Sequence, residues 1–186
     1  MISLMSLWMP IVLSAVIVFV ASSVIHMTPL WHRSDFPQMP REAEVLNALR
    51  PFAIAPGDYF IPRAGGMGDM RSPEFQGKMK QGPVAVLTVL PNGPPGMNRM
   101  LVQWFVFLIV TGVFVAYIAG RTLPVGTPYR HVFQIVGATT FIAHALALPQ
   151  LSIWYGRSWR LTLKYWLDGL IYALRTAGTF GWLWPR

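Results

Sequence analysis

The chain has 186 residues, 54% hydrophobic and 12% charged, with 15 Lys and Arg against 7 Asp and Glu and a net charge of +8; its mean hydropathy is +0.45. A soluble domain carries about a quarter charged residues, so this composition excludes the water-soluble, disordered, collagen-like and coiled-coil classes. The absence of cysteine removes disulfides, thiol chemistry, iron–sulfur clusters and zinc ribbons, and a positive excess on so apolar a chain points to an anionic membrane surface rather than nucleic acid.

A helix needs about 20 apolar residues to cross about 30 Å of hydrocarbon. The first candidate runs from Leu7 to Ile25, uncharged, with Pro10 in its first turns, where proline is tolerated. Residues 1–25 hold no Lys or Arg, so the positive n-region of a signal peptide is missing and an uncleaved anchor over 1–26 is expected.

Residues 27–98 hold six of the seven acids and form the water-facing part of the chain. Pro40-Arg41-Glu42-Ala43-Glu44 opens a short helix through Arg50, with acids placed to complement the dipole. Phe52–Ala55, the turn Pro56-Gly57-Asp58 and Tyr59–Ile61 read as a hairpin. Ala64–Met70 is a glycine-rich connection, and without a lysine or a strand–helix context it is no phosphate loop. Ser72 caps a second helix with Pro73 at its first position, running to Lys80, and Val84–Leu90 reads as a buried strand. The expected insertion is a three-stranded patch with two short helices.

Residues 99–186 carry three further spans, at about 100–120, 131–154 and 159–184. Arg99 and Arg121 bracket the second, the third contains Gln134, His144 and Pro149, and the fourth contains Lys164, Asp168 and Arg175. Counting Lys and Arg near the span ends gives seven (Arg33, Arg41, Lys80, Arg99, Arg157, Arg160, Lys164) against three (Arg121, Arg130, Arg186), which places the insertion in the cytoplasm.

Small residues recur every four positions at Gly112, Ala116 and Gly120, and again at Gly169, Ala173, Ala177 and Gly181. Such ridges let helices approach closely, either inside this bundle or against another membrane protein or a second copy. Asp168, Tyr172, Arg175 and Thr179 follow at spacings of four, three and four, with Lys164 one turn earlier, so they are expected on one face with Asp168 paired to Lys164 or Arg175. Asp168 lies about 14 Å along a helix that starts at Trp159, deep enough for a functional role. His144 reads as a hydrogen-bonded structural histidine, and no two histidines share a helical metal spacing. The ten methionines form no copper motif. His26, His32 and Asp35 bracket the exit of the first span and could form a site, with Trp31 beside them in an interfacial belt.

The stretch Ser72–Pro83, Leu87-Thr88-Val89-Leu90-Pro91-Asn92-Gly93, and the ending Asp168–Leu174 through Thr176–Trp184 resemble a small family of bacterial four-span inner-membrane proteins without an assigned activity. The resemblance covers nearly the whole chain and implies a bacterial inner-membrane location and no chemistry.

The sequence thus leads to an all-α membrane protein of four spans with a small α+β insertion between the first two. The expected function is a non-catalytic scaffold or accessory subunit of a membrane assembly, without catalytic residues, metal or cofactor. Its expected partners are anionic lipid headgroups and a membrane protein or second copy. The alternative is a small oligomeric transporter or proton-coupled carrier using Asp168, Arg175 and His144. A membrane enzyme acting on lipid or quinone near His26 and His32 is the weakest reading.

Overall fold

The computed structural model describes residues 2–28 and 31–186. The chain is mostly helical and divides into two compact units, one made of residues 1–36 and 96–186 and the other of Pro37–Pro95.

In the helical unit a 3-10 turn, Leu4–Leu7, leads into α1 (Trp8–Met27), with Ser3 Oγ accepting from Met5 N. The other helices of this unit are α5 (Met97–Thr122), α6 (Tyr129–Phe141), α7 (Pro149–Tyr155) and α8 (Trp159–Trp182), with a π-helical turn, Ile142–Leu146, between α6 and α7. Ile11, Ala15, Val18 and Ser22 form the buried face of α1, while Val12, Val16, Val20 and Val24 are exposed. On α5 the exposed stripe is Val102, Val106, Val110 and Phe114. Apolar faces this continuous require a hydrocarbon solvent.

Three helical segments among the described residues are long and apolar enough to cross a membrane: Leu4–Met27, Met97–Thr122 and Tyr129–Tyr155. The expectation of four is corrected here. The 24 residues of α8 include Arg160, Lys164, Asp168 and Arg175 among many Gly and Thr, which dilutes its hydropathy. It is also rich in buried positions, ten of them, because it packs chiefly on α6 and α1. Its other face, Leu163, Leu167, Leu170, Ile171 and Leu174, is exposed and apolar.

The core at one end of the bundle joins Leu7, Ile11, Val115, Ala119, Val132, Val136, Ala177 and Phe180. The same end is tied by Ile2 N donating to Gly120 O at 2.9 Å and by Trp184 Nε1 donating to Pro124 O at 3.1 Å. Both small-residue ridges are used inside the chain. A Cβ on Gly112 would meet Ile11 at 3.2 Å, on Gly120 the Ile2 carbonyl at 3.0 Å, on Gly169 the Ala145 Cβ at 2.9 Å, and on Gly181 the Tyr129 ring at 2.7 Å. Ala116, Ala173 and Ala177 are buried beside them.

The third span is one continuous hydrophobic run in sequence, but its helix is interrupted. Pro149 has no N–H to offer the carbonyl of Ala145 four residues back. Trp166 Nε1 of α8 donates to that carbonyl at 2.9 Å instead, and the π turn is seated on α8 at Gly169.

The smaller unit contains α2 (Glu42–Leu49), β1 (Gly57–Ile61), α3 (Met67–Met70), α4 (Pro73–Gln81) and β2 (Ala85–Val89). Ser72 Oγ accepts from Phe75 N with Pro73 in the first turn, the cap that the sequence predicts. The three-stranded patch is corrected to a two-stranded antiparallel sheet among the described residues, pairing Gly57 with Val89 and Ile61 with Ala85. The expected first strand falls in a 3-10 turn, Arg50–Phe52, followed by Ala53 at φ +45°. Pro51 holds a helical φ there, so β1 pairs with β2 rather than with its own upstream neighbour.

The contact at Gly181 gives a test of close approach. Gly181→Ala is expected to destabilise the bundle by about 1–3 kcal/mol, read from thermal unfolding in detergent by circular dichroism, and adding Tyr129→Ala is expected to recover part of the loss.

Candidate functional site

At the bundle end where α1 finishes and α8 begins, residues 31–36 fold back onto α8. Lys164 Nζ donates to Trp31 O at 2.6 Å, to Asp35 Oδ1 at 2.5 Å and to Ser34 Oγ at 3.3 Å. Arg160 donates to Ser34 Oγ at 3.2 Å. One turn deeper, Trp31 Nε1 donates to Asp168 Oδ1 at 3.0 Å.

His32 lies between the two carboxylates. Its Nδ1 is 2.5 Å from Asp35 Oδ2 and its Nε2 is 3.1 Å from Asp168 Oδ2. The ring stacks on His26 at 4.3 Å between centroids and on Tyr165 at 5.6 Å. His26 Nδ1 is 2.9 Å from Ser22 O, and Ser22 Oγ accepts from Trp104 Nε1 of α5 at 2.9 Å. The side chains of Asp35 and Asp168 are 4% and 3% exposed, so this is an interior ionic cluster rather than a surface pair. Burial raises the proton affinity of the Asp35 carboxyl, but hydrogen bonds from Lys164 and His32 outweigh it and hold the group below its ordinary range. The two carboxylates and Lys164 leave one negative charge in excess.

Beside the cluster is a cleft of about 450 Å³, with Trp104, Phe107, His144, Leu148 and Tyr172 on its apolar wall and His26, Asp168 and Arg157 as its polar groups. Phe107 and Ala143 at its edge are exposed, so it faces outward between α5 and the π turn. The Arg157 guanidinium lies 5.2 Å over the Tyr165 ring. Phe107 is 5.6 Å and Tyr172 5.5 Å from the ring of His144, both edge-on, and the Tyr172 hydroxyl is buried without a hydrogen-bond partner among the described residues.

Of the residues expected to act together, Asp168, Lys164, Tyr172 and His144 lie around this cluster and cleft. Arg175 does not, and is corrected: it is exposed on α8 while Asp168, Tyr172 and Thr179 are buried. Spacings of seven residues drift around a helix of 3.6 per turn, which is enough to carry a long side chain out of the bundle. The expected pairing of Lys164 with Asp168 is also corrected. Lys164 takes Asp35, and Asp168 takes Trp31 and His32, because the loop after α1 supplies partners that α8 lacks. Trp31, read as an interfacial residue, stays 39% exposed while its Nε1 reaches Asp168.

Sequence reasoning named His26, His32 and Asp35 together but had no reason to bring Asp168 to them. The available signal was the local spacing Trp31-His32-Ser34-Asp35 at a span exit, a density of hydrogen-bonding side chains beyond what an interfacial loop needs. No protein family, curated protein or solved structure matches the chain.

Removing one member of a buried ion pair leaves the other charge uncompensated, at about 3 kcal/mol or more. This pair is part-buried, so Lys164→Met and Asp35→Asn are each expected to lower the unfolding free energy in detergent by about 1–3 kcal/mol, and the double variant by clearly less than their sum, as a double-mutant cycle would read.

Proposed function

We propose that the chain is a multi-pass membrane protein that takes an amphiphilic molecule sideways from the bilayer and acts on its polar end at Asp168 and His26. The observation that supports this is the cleft itself: one wall is aromatic and opens at Phe107 and Ala143, where lipid chains would lie, and its far end carries His26, Asp168 and Arg157. Ligand sites of this kind combine an apolar body with a few placed polar groups, and an intramembrane carboxylate of this depth is a functional-site hypothesis by default. An ionisable pair within one site can give and take protons from a bound head group.

On this reading the three apolar helices cross the bilayer, with α8 packed chiefly on α6 and α1. We take the membrane to be a bacterial inner membrane, as the sequence resemblance implies, with Arg157 and Arg160 suited to anionic headgroups. The scaffold or accessory-subunit reading rested on the small-residue ridges, the compact insertion and the lack of a complete catalytic constellation, and the geometry bears on the first of these. Those ridges are filled by Ile11, Ile2, Ala145 and Tyr129 of the same chain, so they offer nothing outward to a partner. The alternative, an oligomeric carrier using Asp168, Arg175 and His144, has Asp168 and His144 on the cleft and Arg175 on the outer face of α8.

Photolabelling in nanodiscs of phosphatidylethanolamine and phosphatidylglycerol, with a diazirine on the acyl chain, tests the proposal. Label is expected to concentrate several-fold on peptides containing Trp104–Phe107 and Ala143–Leu148, and Ala143→Trp is expected to abolish that enrichment. Label spread evenly along the exposed stripe of Val102, Val106, Val110 and Phe114 would overturn it.

A further inference from the structure

We propose that His26, His32 and Asp168 bind one divalent first-row transition metal ion, of the zinc or ferrous class, with an open coordination position toward the cleft. This goes beyond the amphiphile reading and does not depend on it.

The argument starts from protons. Asp35 Oδ2 stands 2.5 Å from His32 Nδ1, and a carboxylate accepts, so Nδ1 carries the hydrogen and the lone pair of the neutral ring is on Nε2. That nitrogen faces Asp168 Oδ2 at 3.1 Å. Both atoms are buried, and neither has a hydrogen-bond partner among the described residues. The pair is at ion-pair distance but outside hydrogen-bond geometry. Two acceptors this close repel each other, and either a second proton on the imidazole or a cation lying against both atoms relieves the contact.

A metal ion meets that demand with the right dimensions. Atoms bound about 2.0–2.1 Å from zinc stand about 2.9–3.4 Å apart at angles between octahedral and tetrahedral, which brackets the observed 3.1 Å. A third ligand is at hand, since one ligand atom each of His26, His32 and Asp168 lies within 4.8 Å of the other two. The His26 ring is stacked on His32 at 4.3 Å, so it must tilt out of that stack about its Ser22 contact to reach the same ion; its exposed face permits the tilt and gives an ion a way in.

Each ligand is also oriented from behind. Asp35 holds His32 Nδ1, the Ser22 carbonyl holds His26 Nδ1 so that Nε2 is free, and Trp31 Nε1 occupies the other oxygen of Asp168. Partners of this type fix tautomer and ring direction in metal sites. Two imidazoles and one carboxylate suit zinc or ferrous iron. The set has no thiolate for Cu(I) and too few oxygens for Ca²⁺ or Mg²⁺. A dication would turn the cluster's excess of one negative charge into one positive charge, so the open position would favour an anionic group.

The test uses the full chain, purified in mild detergent and stripped with chelator, with Zn²⁺ measured by equilibrium dialysis and Co²⁺ followed by its visible absorption. One Zn²⁺ per chain is expected, with a Co²⁺ spectrum of a nitrogen–oxygen site. His26→Ala and Asp168→Asn are each expected to weaken binding at least tenfold. Asp35→Asn is expected to weaken it by about 10–100-fold while keeping one site. His26 is exposed, so its variant keeps the bundle intact, and an unchanged gel-filtration profile confirms that. Wild type holding no more Zn²⁺ than the His26→Ala protein would overturn the proposal. Zinc binding without cleft labelling leaves this site standing and removes the amphiphile reading, and the reverse result removes the site.

Discussion

A carboxylate in the middle of a membrane-type helix must be met by donors, and α8 has none to spare. Its own cations fail Asp168 for different reasons: Lys164 is drawn to Asp35, and Arg175 points out of the bundle. The loop after α1 therefore supplies what meets it: the indole of Trp31 donates to one oxygen, and His32 Nε2 stands 3.1 Å from the other. Satisfying that one group fixes how the loop folds, which in turn buries Asp35 and demands Lys164 above it. The ionic cluster is thus one connected solution to a single desolvation problem.

Close helix packing makes the same end of the bundle possible. Gly169 sits one residue after Asp168, and only a residue without Cβ lets the π turn come in beside it, since Ala145 would be 2.9 Å from a side chain there. Pro149 cannot donate to the Ala145 carbonyl, which accepts instead from Leu148 N at 3.1 Å and Trp166 Nε1 at 2.9 Å. The result places His144 against Trp104, Phe107 and Tyr172. Irregular helix at membrane depth is tolerated where protein re-satisfies the backbone, and π turns are frequent at functional positions. The cleft is formed where these two irregularities meet.

How much of this could be read from the residues alone depended on range. Helix positions followed from apolar runs, and the Ser72–Pro73 start followed from local cap chemistry, because both are decided within a few residues. The β pairing was misassigned, since Phe52–Ala55 has strand-like composition while its partner choice is settled by β2, far along the chain. The crossing status of α8 was overstated because its burial lies in contacts with α1 and α6 that the sequence does not display. Asp168 was visible as an anomaly, but its neighbours were not. Trp31 and Asp168 are separated by 137 positions, and no periodicity connects a loop to a helix at that distance. The histidines were judged by helical spacing, whereas their meeting is spatial: one on α1 and one on the loop that returns beside it.

That separation has a bearing on biogenesis. Lys164 reaches Trp31 across 133 positions, so the loop after α1 lacks its partners on α8 until the last helix has been synthesised and has entered the bundle. Until then Trp31 lacks Asp168 and Asp35 lacks Lys164, and the segment is held only by the contacts of His32 with Asp35 and His26. The functional end of the molecule is therefore the last part to be assembled, and a chain arrested before Lys164 would carry most of its apolar helices but not the completed cluster.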